Sequence, residues 1–85
     1  MVEATVEEMV GFISGNVKRK QIIDVLEKNG AETEDALGKL TRVPRILLEK
    51  SIKDMAERGI VKKQKDKYVL TEDGKAAATV LHSMR

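Results

Sequence analysis

Met55-Ala56-Glu57-Arg58-Gly59-Ile60-Val61-Lys62-Lys63-Gln64-Lys65-Asp66-Lys67-Tyr68-Val69-Leu70-Thr71-Glu72-Asp73-Gly74 changes its hydrophobic period twice. Up to Gly59 the period is helical: Leu48, Ile52, Met55 and the gap at Gly59 stand at i, i+4, i+7 and i+11. Beyond it, Ile60-Val61-Lys62-Lys63 and Lys67-Tyr68-Val69-Leu70 read as two short strands. Gln64-Lys65-Asp66 forms a three-residue loop between them, in which Asp66 tolerates a positive φ. Thr71 then caps a last helix whose first turn holds Glu72 and Asp73, where the helix dipole favours negative charge. Helix, hairpin, helix is the expected order.

Upstream, Pro44 lacks the N–H that a first helical position leaves unpaired, so a helix is expected over about 44–58. Its outer face carries Arg45, Ile46, Glu49, Lys50, Lys53 and Glu57. Before it, Thr33 caps a short helix with Ala36, Leu37 and Leu40 on its buried side, followed by the turn Thr41-Arg42-Val43. An amphipathic helix with Ile22, Ile23, Val25 and Leu26 runs from the Asn16 cap to Asn29-Gly30. The first helix, about 5–14, opens on the capping box Thr5-x-x-Glu8, and Gly15 is expected to close it in a left-handed conformation. The last covers about 71–84. No repeat, linker or low-complexity stretch interrupts residues 1–85, which read as one domain.

This order resembles the winged helix-turn-helix family of prokaryotic transcriptional regulators, archaeal ones among them. Thr41-Arg42-Val43-Pro44-Arg45 looks like the turn before a recognition helix. Met55–Val61 resembles the family's passage from helix into strand, and Tyr68–Gly74 its passage from strand into helix. The resemblance covers about residues 17–76. It implies a mainly α fold with a small β-hairpin wing (60–70), here with additional N-terminal and C-terminal helices. The chain departs from the family where many relatives carry Gly in place of Arg42, and at a wing tip, Lys65-Asp66, that lacks the usual Gly.

Composition excludes several functions. The 85 residues hold no Cys and one histidine, His82, too little for a zinc finger, a disulfide framework, a thiol nucleophile or a two-histidine metal site. No Gly-rich phosphate loop or pair of catalytic carboxylates is present, so neither an enzyme nor a cofactor or metal is expected. His82 has no acid at a helical spacing that would orient its ring, and reads as solvent-exposed. Two aromatics, Phe12 and Tyr68, are too few for a base-stacking platform. The acidic start Met1-Val2-Glu3-Ala4-Thr5-Val6-Glu7-Glu8 does not fit a signal peptide, and no apolar run is long enough to span a membrane. A cytoplasmic protein is the expectation.

Sixteen Lys+Arg against fourteen Asp+Glu give a net charge of only +2, which does not suggest a nucleic-acid binder. Segment by segment the balance changes. Residues 1–38 hold four bases and eight acids, a net of −4, whereas residues 39–70 hold ten bases and four acids, a net of +6. The positive stretch coincides with the expected recognition helix and wing, the elements that the resemblance lays on double-stranded DNA. Arg45 is the first candidate for reading guanine and Lys50 the next; Ile46 can touch a thymine methyl. Glu49 either accepts from cytosine N4 or pairs with Lys53 one turn on. Lys62, Lys63, Lys65 and Lys67 either hold phosphates or form a solvated strand edge that discourages aggregation. Thr41 and Arg42 are expected at the DNA backbone.

Two further partners follow from the remaining surfaces. The terminal stripes, Val6, Met9, Val10 and Ile13 at one end and Ala77, Val80, Leu81 and Met84 at the other, either close the chain's own core or form a twofold homodimer. The alternative to a sequence-specific transcriptional regulator is a protein-interaction module of a transcription or replication complex, with the acidic N-terminal half as a contact surface.

Overall fold

Residues 5–83 are described by a computed structural model. Most of the helix starts are set by side chains that cap them. Thr5 Oγ1 accepts from the Glu8 N–H at 3.1 Å, and the Glu8 carboxylate accepts from the Thr5 N–H at 3.0 Å, opening α1 (Val6–Ser14). The bond from the Thr5 N–H first, and then the Thr5 side chain, hold the Glu8 carboxyl below its ordinary range. This cap is therefore at full strength above the usual glutamate pKa and is lost as pH falls through the lowered one. Asn16 Oδ1 accepts from the Lys18 and Arg19 N–H groups and opens α2 (Val17–Asn29). Gly15 lies between the two helices with a right-handed φ of −74°, not the left-handed one expected, and Asn16 caps α2 directly after it. Gly30, φ 91°, closes α2.

β1 (Ala31–Glu32) follows directly, then α3 (Glu34–Thr41), with Thr33 Oγ1 accepting from the Ala36 N–H. α4 spans Arg45–Glu57, one residue later than the expected start, because Pro44 keeps an extended ψ of 145° and serves as the cap. β2 (Val61–Gln64) and β3 (Lys67–Leu70) form the hairpin, and α5 (Glu72–Ser83) follows. Buried Val61 faces buried Leu70, which fixes Gln64 opposite Lys67 and leaves a two-residue loop, Lys65-Asp66, where the sequence suggested three. The positive φ falls on Lys65 (60°), not on Asp66, the sign pattern of a type II′ turn. β1 pairs with β3, so the antiparallel order is β1-β3-β2 and the second hairpin strand is central. Two residues carry no period, and β1 leaves no trace in the sequence.

One continuous buried cluster joins these elements: Ile22, Ile23 and Leu26 of α2, Leu37 of α3, Leu48, Ile52 and Met55 of α4, and Ile60, Val61 and Leu70 around the sheet. Both terminal helices enter it. α1 packs on α5, burying Met9, Val10 and Ile13 with Ala77 and Ala78, and Val6 and Leu81 lie half-buried beside them. Val80 remains 40 % exposed, and Met84 lies outside the described residues. Among the described residues no helix is long and apolar enough to cross a membrane.

The passage from β3 into α5 is tied to the end of α4. The Thr71 hydroxyl donates to Gly59 O at 2.6 Å, and it accepts from the Gly74 N–H at 2.9 Å; the Thr71 N–H donates to Ile60 O at 3.0 Å. A Cβ on Gly74 would lie 2.1 Å from that same Ile60 oxygen. Glycine at this position lets the first turn of α5 rest against backbone.

Candidate nucleic-acid interface

The turn between α3 and α4 is built around Val43, which is 4 % exposed. Thr41 Oγ1 donates to Leu37 O at 2.6 Å and accepts from the Val43 N–H at 3.3 Å. Its hydroxyl is thus committed to shaping the turn, whereas the sequence assigned it to a partner's backbone. Arg42 is exposed and takes a left-handed conformation, φ 59° and ψ 21°, its N–H donating to Gly38 O. That conformation costs a side-chain-bearing residue roughly 1–2 kcal/mol, and glycine's extra freedom when unfolded costs roughly 0.5–1 kcal/mol. Arg42→Gly should therefore stabilise the fold by about 0.5–1 kcal/mol, read as a higher urea midpoint at unchanged slope.

On α4 the inward residues Leu48, Ile52 and Met55 are buried, while Arg45, Ile46, Glu49, Lys50 and Lys53 are all exposed. Ile46, at 81 %, is the most exposed large apolar side chain among the described residues. Arg45 Nε donates to Glu49 Oε1 at 3.1 Å and lies 3.9 Å from Glu34 Oε2. The Glu49 hydrogen bond, then the charges of Glu49, Glu34 and Asp35, raise the Arg45 pKa further above its ordinary value. Glu49 therefore pairs with Arg45, not with Lys53, and the guanidinium also lies near Glu34 of α3. Lys50 pairs with Asp54 at 3.3 Å. Lys53 has no acidic partner among the described residues. These exposed pairs are weak and exchange readily for a partner that offers a better anion. A cleft of about 190 Å³ between α3 and α4, lined by Glu34, Asp35, Val43 and Arg45 among others, is smaller than the roughly 300 Å³ of an ordinary small-molecule pocket.

Lys62, Lys63, Lys65 and Lys67 are all exposed, but the register divides them. Side chains alternate across a strand, so the row Ala31, Val69, Lys62 and the pair Gln64, Lys67 share one face. Lys63 belongs to the other, in a row with Tyr68 and Glu32, its ammonium 5.9 Å from the Tyr68 ring centroid. One surface can meet Lys62 and Lys67 together, with Lys65 at the tip; Lys63 is not part of that set.

Two constellations escaped the sequence reading. The guanidinium carbons of Arg19 and Arg58 lie 3.6 and 4.0 Å from the Phe12 ring centroid, and cations that close must take opposite ring faces. This stack pins α1 to the start of α2 and the end of α4. His82 Nε2 contacts Glu27 Oε1 and lies 3.7 Å from Asp24 Oδ1. The acids that orient the ring come from α2, not from its own helix, and no local spacing announces them. Comparison with protein-family models, with curated proteins and with solved structures found no match for the chain.

Proposed function

We propose that the chain is a winged helix-turn-helix DNA-binding regulator, with α4 as the recognition helix in the major groove and the β2–β3 hairpin as a basic wing on phosphates. One observation carries the reading: all ten bases of the +6 segment, residues 39–70, are exposed. Arg45 and Lys50 read bases after leaving Glu49 and Asp54, Ile46 meets a thymine methyl, and Lys53, Lys62, Lys65 and Lys67 neutralise phosphates.

Four phosphates give a slope of about −4 in log affinity against log salt, a loss on the order of a hundredfold between roughly 50 and 200 mM. Titration of the full chain onto double-stranded DNA, selected from a random pool, measures it. Arg45→Ala should reduce discrimination between selected and unselected DNA roughly ten- to hundredfold, whereas Lys62→Ala should weaken all sequences alike and lower the slope by about 1. A flat salt series contradicts the proposal.

A second reading is supported by the acids already paired with Arg45 and Lys50 and by exposed Ile46, Leu47 and Leu40, the last of which the sequence placed on the buried side of its helix but which the structure leaves exposed. On it, the domain docks on a protein of a transcription or replication complex. Affinity for DNA weaker than about 10⁻⁴ M, together with a stable protein complex lost in Ile46→Glu, would select it.

A further inference from the structure

We propose that Asp24, Glu27 and His82 form a binding site for one divalent transition-metal ion of the zinc type, bridging α2 and α5. Asp24 and Glu27 stand at i and i+3, on one face of α2. His82, near the end of α5, brings Nε2 to both carboxylates. One ligand atom from each of the three residues lies within 4.8 Å of the others. Zinc–nitrogen and zinc–oxygen bonds of about 2.0–2.2 Å place neighbouring ligands roughly 3–3.5 Å apart, so rotamer adjustments of about 1 Å close the set.

Charge and chemistry favour such an ion. With the imidazole neutral, two carboxylates leave the cluster at −2, and among the described residues neither forms an ion pair with a lysine or arginine. Exposure of 32–41 % leaves room for an ion to enter and for water to complete its coordination. One imidazole with two carboxylates suits zinc and its neighbours, whereas magnesium and calcium prefer all-oxygen sites. The site lies outside the basic segment 39–70, so its existence does not depend on DNA binding. It would fasten α5 to α2.

The full chain, stripped by a chelator and dialysed, would be titrated with zinc chloride. The expected result is one equivalent bound per chain and, at a hundredfold excess over the dissociation constant, a melting midpoint raised on the order of 10 °C. Magnesium should produce no shift. His82→Gln and the double variant Asp24→Asn/Glu27→Gln should keep the parent's helical circular dichroism and lose the zinc-dependent shift. His82 is the only histidine, so its ring protons report directly by NMR whether or not the variants fold well. Ring signals unmoved by zinc, an equal shift in His82→Gln, or a magnesium response as large as that to zinc would each overturn the proposal.

Discussion

Gly74→Ala should destabilise the fold by about 3–4 kcal/mol, a large part of the roughly 5 kcal/mol available to a domain of this size. Helix propensity alone favours alanine by about 1 kcal/mol, so the sign depends on space. The new Cβ would sit 2.1 Å from Ile60 O and 3.0 Å from its carbonyl carbon, and neither can swing aside as the end of a long side chain can. Moving Ile60 O breaks its bond from the Thr71 N–H and loosens the hydroxyl bridge from Thr71 to Gly59. The thermal midpoint should fall by roughly 15–20 °C. A loss below about 1 kcal/mol in urea unfolding would mean that α5 can slide off the α4–β2 corner.

Ile13→Ala should cost about 3 kcal/mol, within the range for a buried isoleucine cut back to alanine. Ile13 is fully buried at the contact between α1 and the rest of the cluster. The value of the experiment is in its concentration dependence. If α1 completes this chain's own core, the loss is the same in dilute and concentrated protein; if α1 completes a second copy, the loss grows on dilution. The packing of α1 on α5 leads us to expect no dependence.

What the sequence revealed and what it hid divide by range. The caps Thr5, Asn16 and Thr33 are local rules, readable within a turn of helix, and each makes the bond its position implies. The helical stripes and the hairpin are equally local. β1 is defined only by pairing with β3, and His82 finds its acids on a helix more than fifty residues away. The ion pairs of α4 were half legible: the sequence favours Glu49 with Lys53, since an acid preceding a base by four residues is the better order. In the structure Glu49 pairs instead with Arg45, which also lies 3.9 Å from Glu34 of α3, a neighbour that no helical spacing announces. The outward set Arg45, Ile46, Glu49, Lys50 and Lys53 follows from helical period alone and is exposed as expected. The lysines of the hairpin required the register, because one residue of slip exchanges the faces.

The central position of β3 also sets an order of assembly. Ala31 must wait for Val69, 38 residues further on, before the β1 edge of the sheet can form. The turn between α3 and α4 and the caps form from near neighbours in microseconds, whereas this long closure carries the entropy of the whole intervening chain. Refolding should accordingly show the helices and the β2–β3 hairpin ahead of the β1–β3 pairing. During synthesis the helices up to α4 can form on a chain whose β1 strand still has no partner.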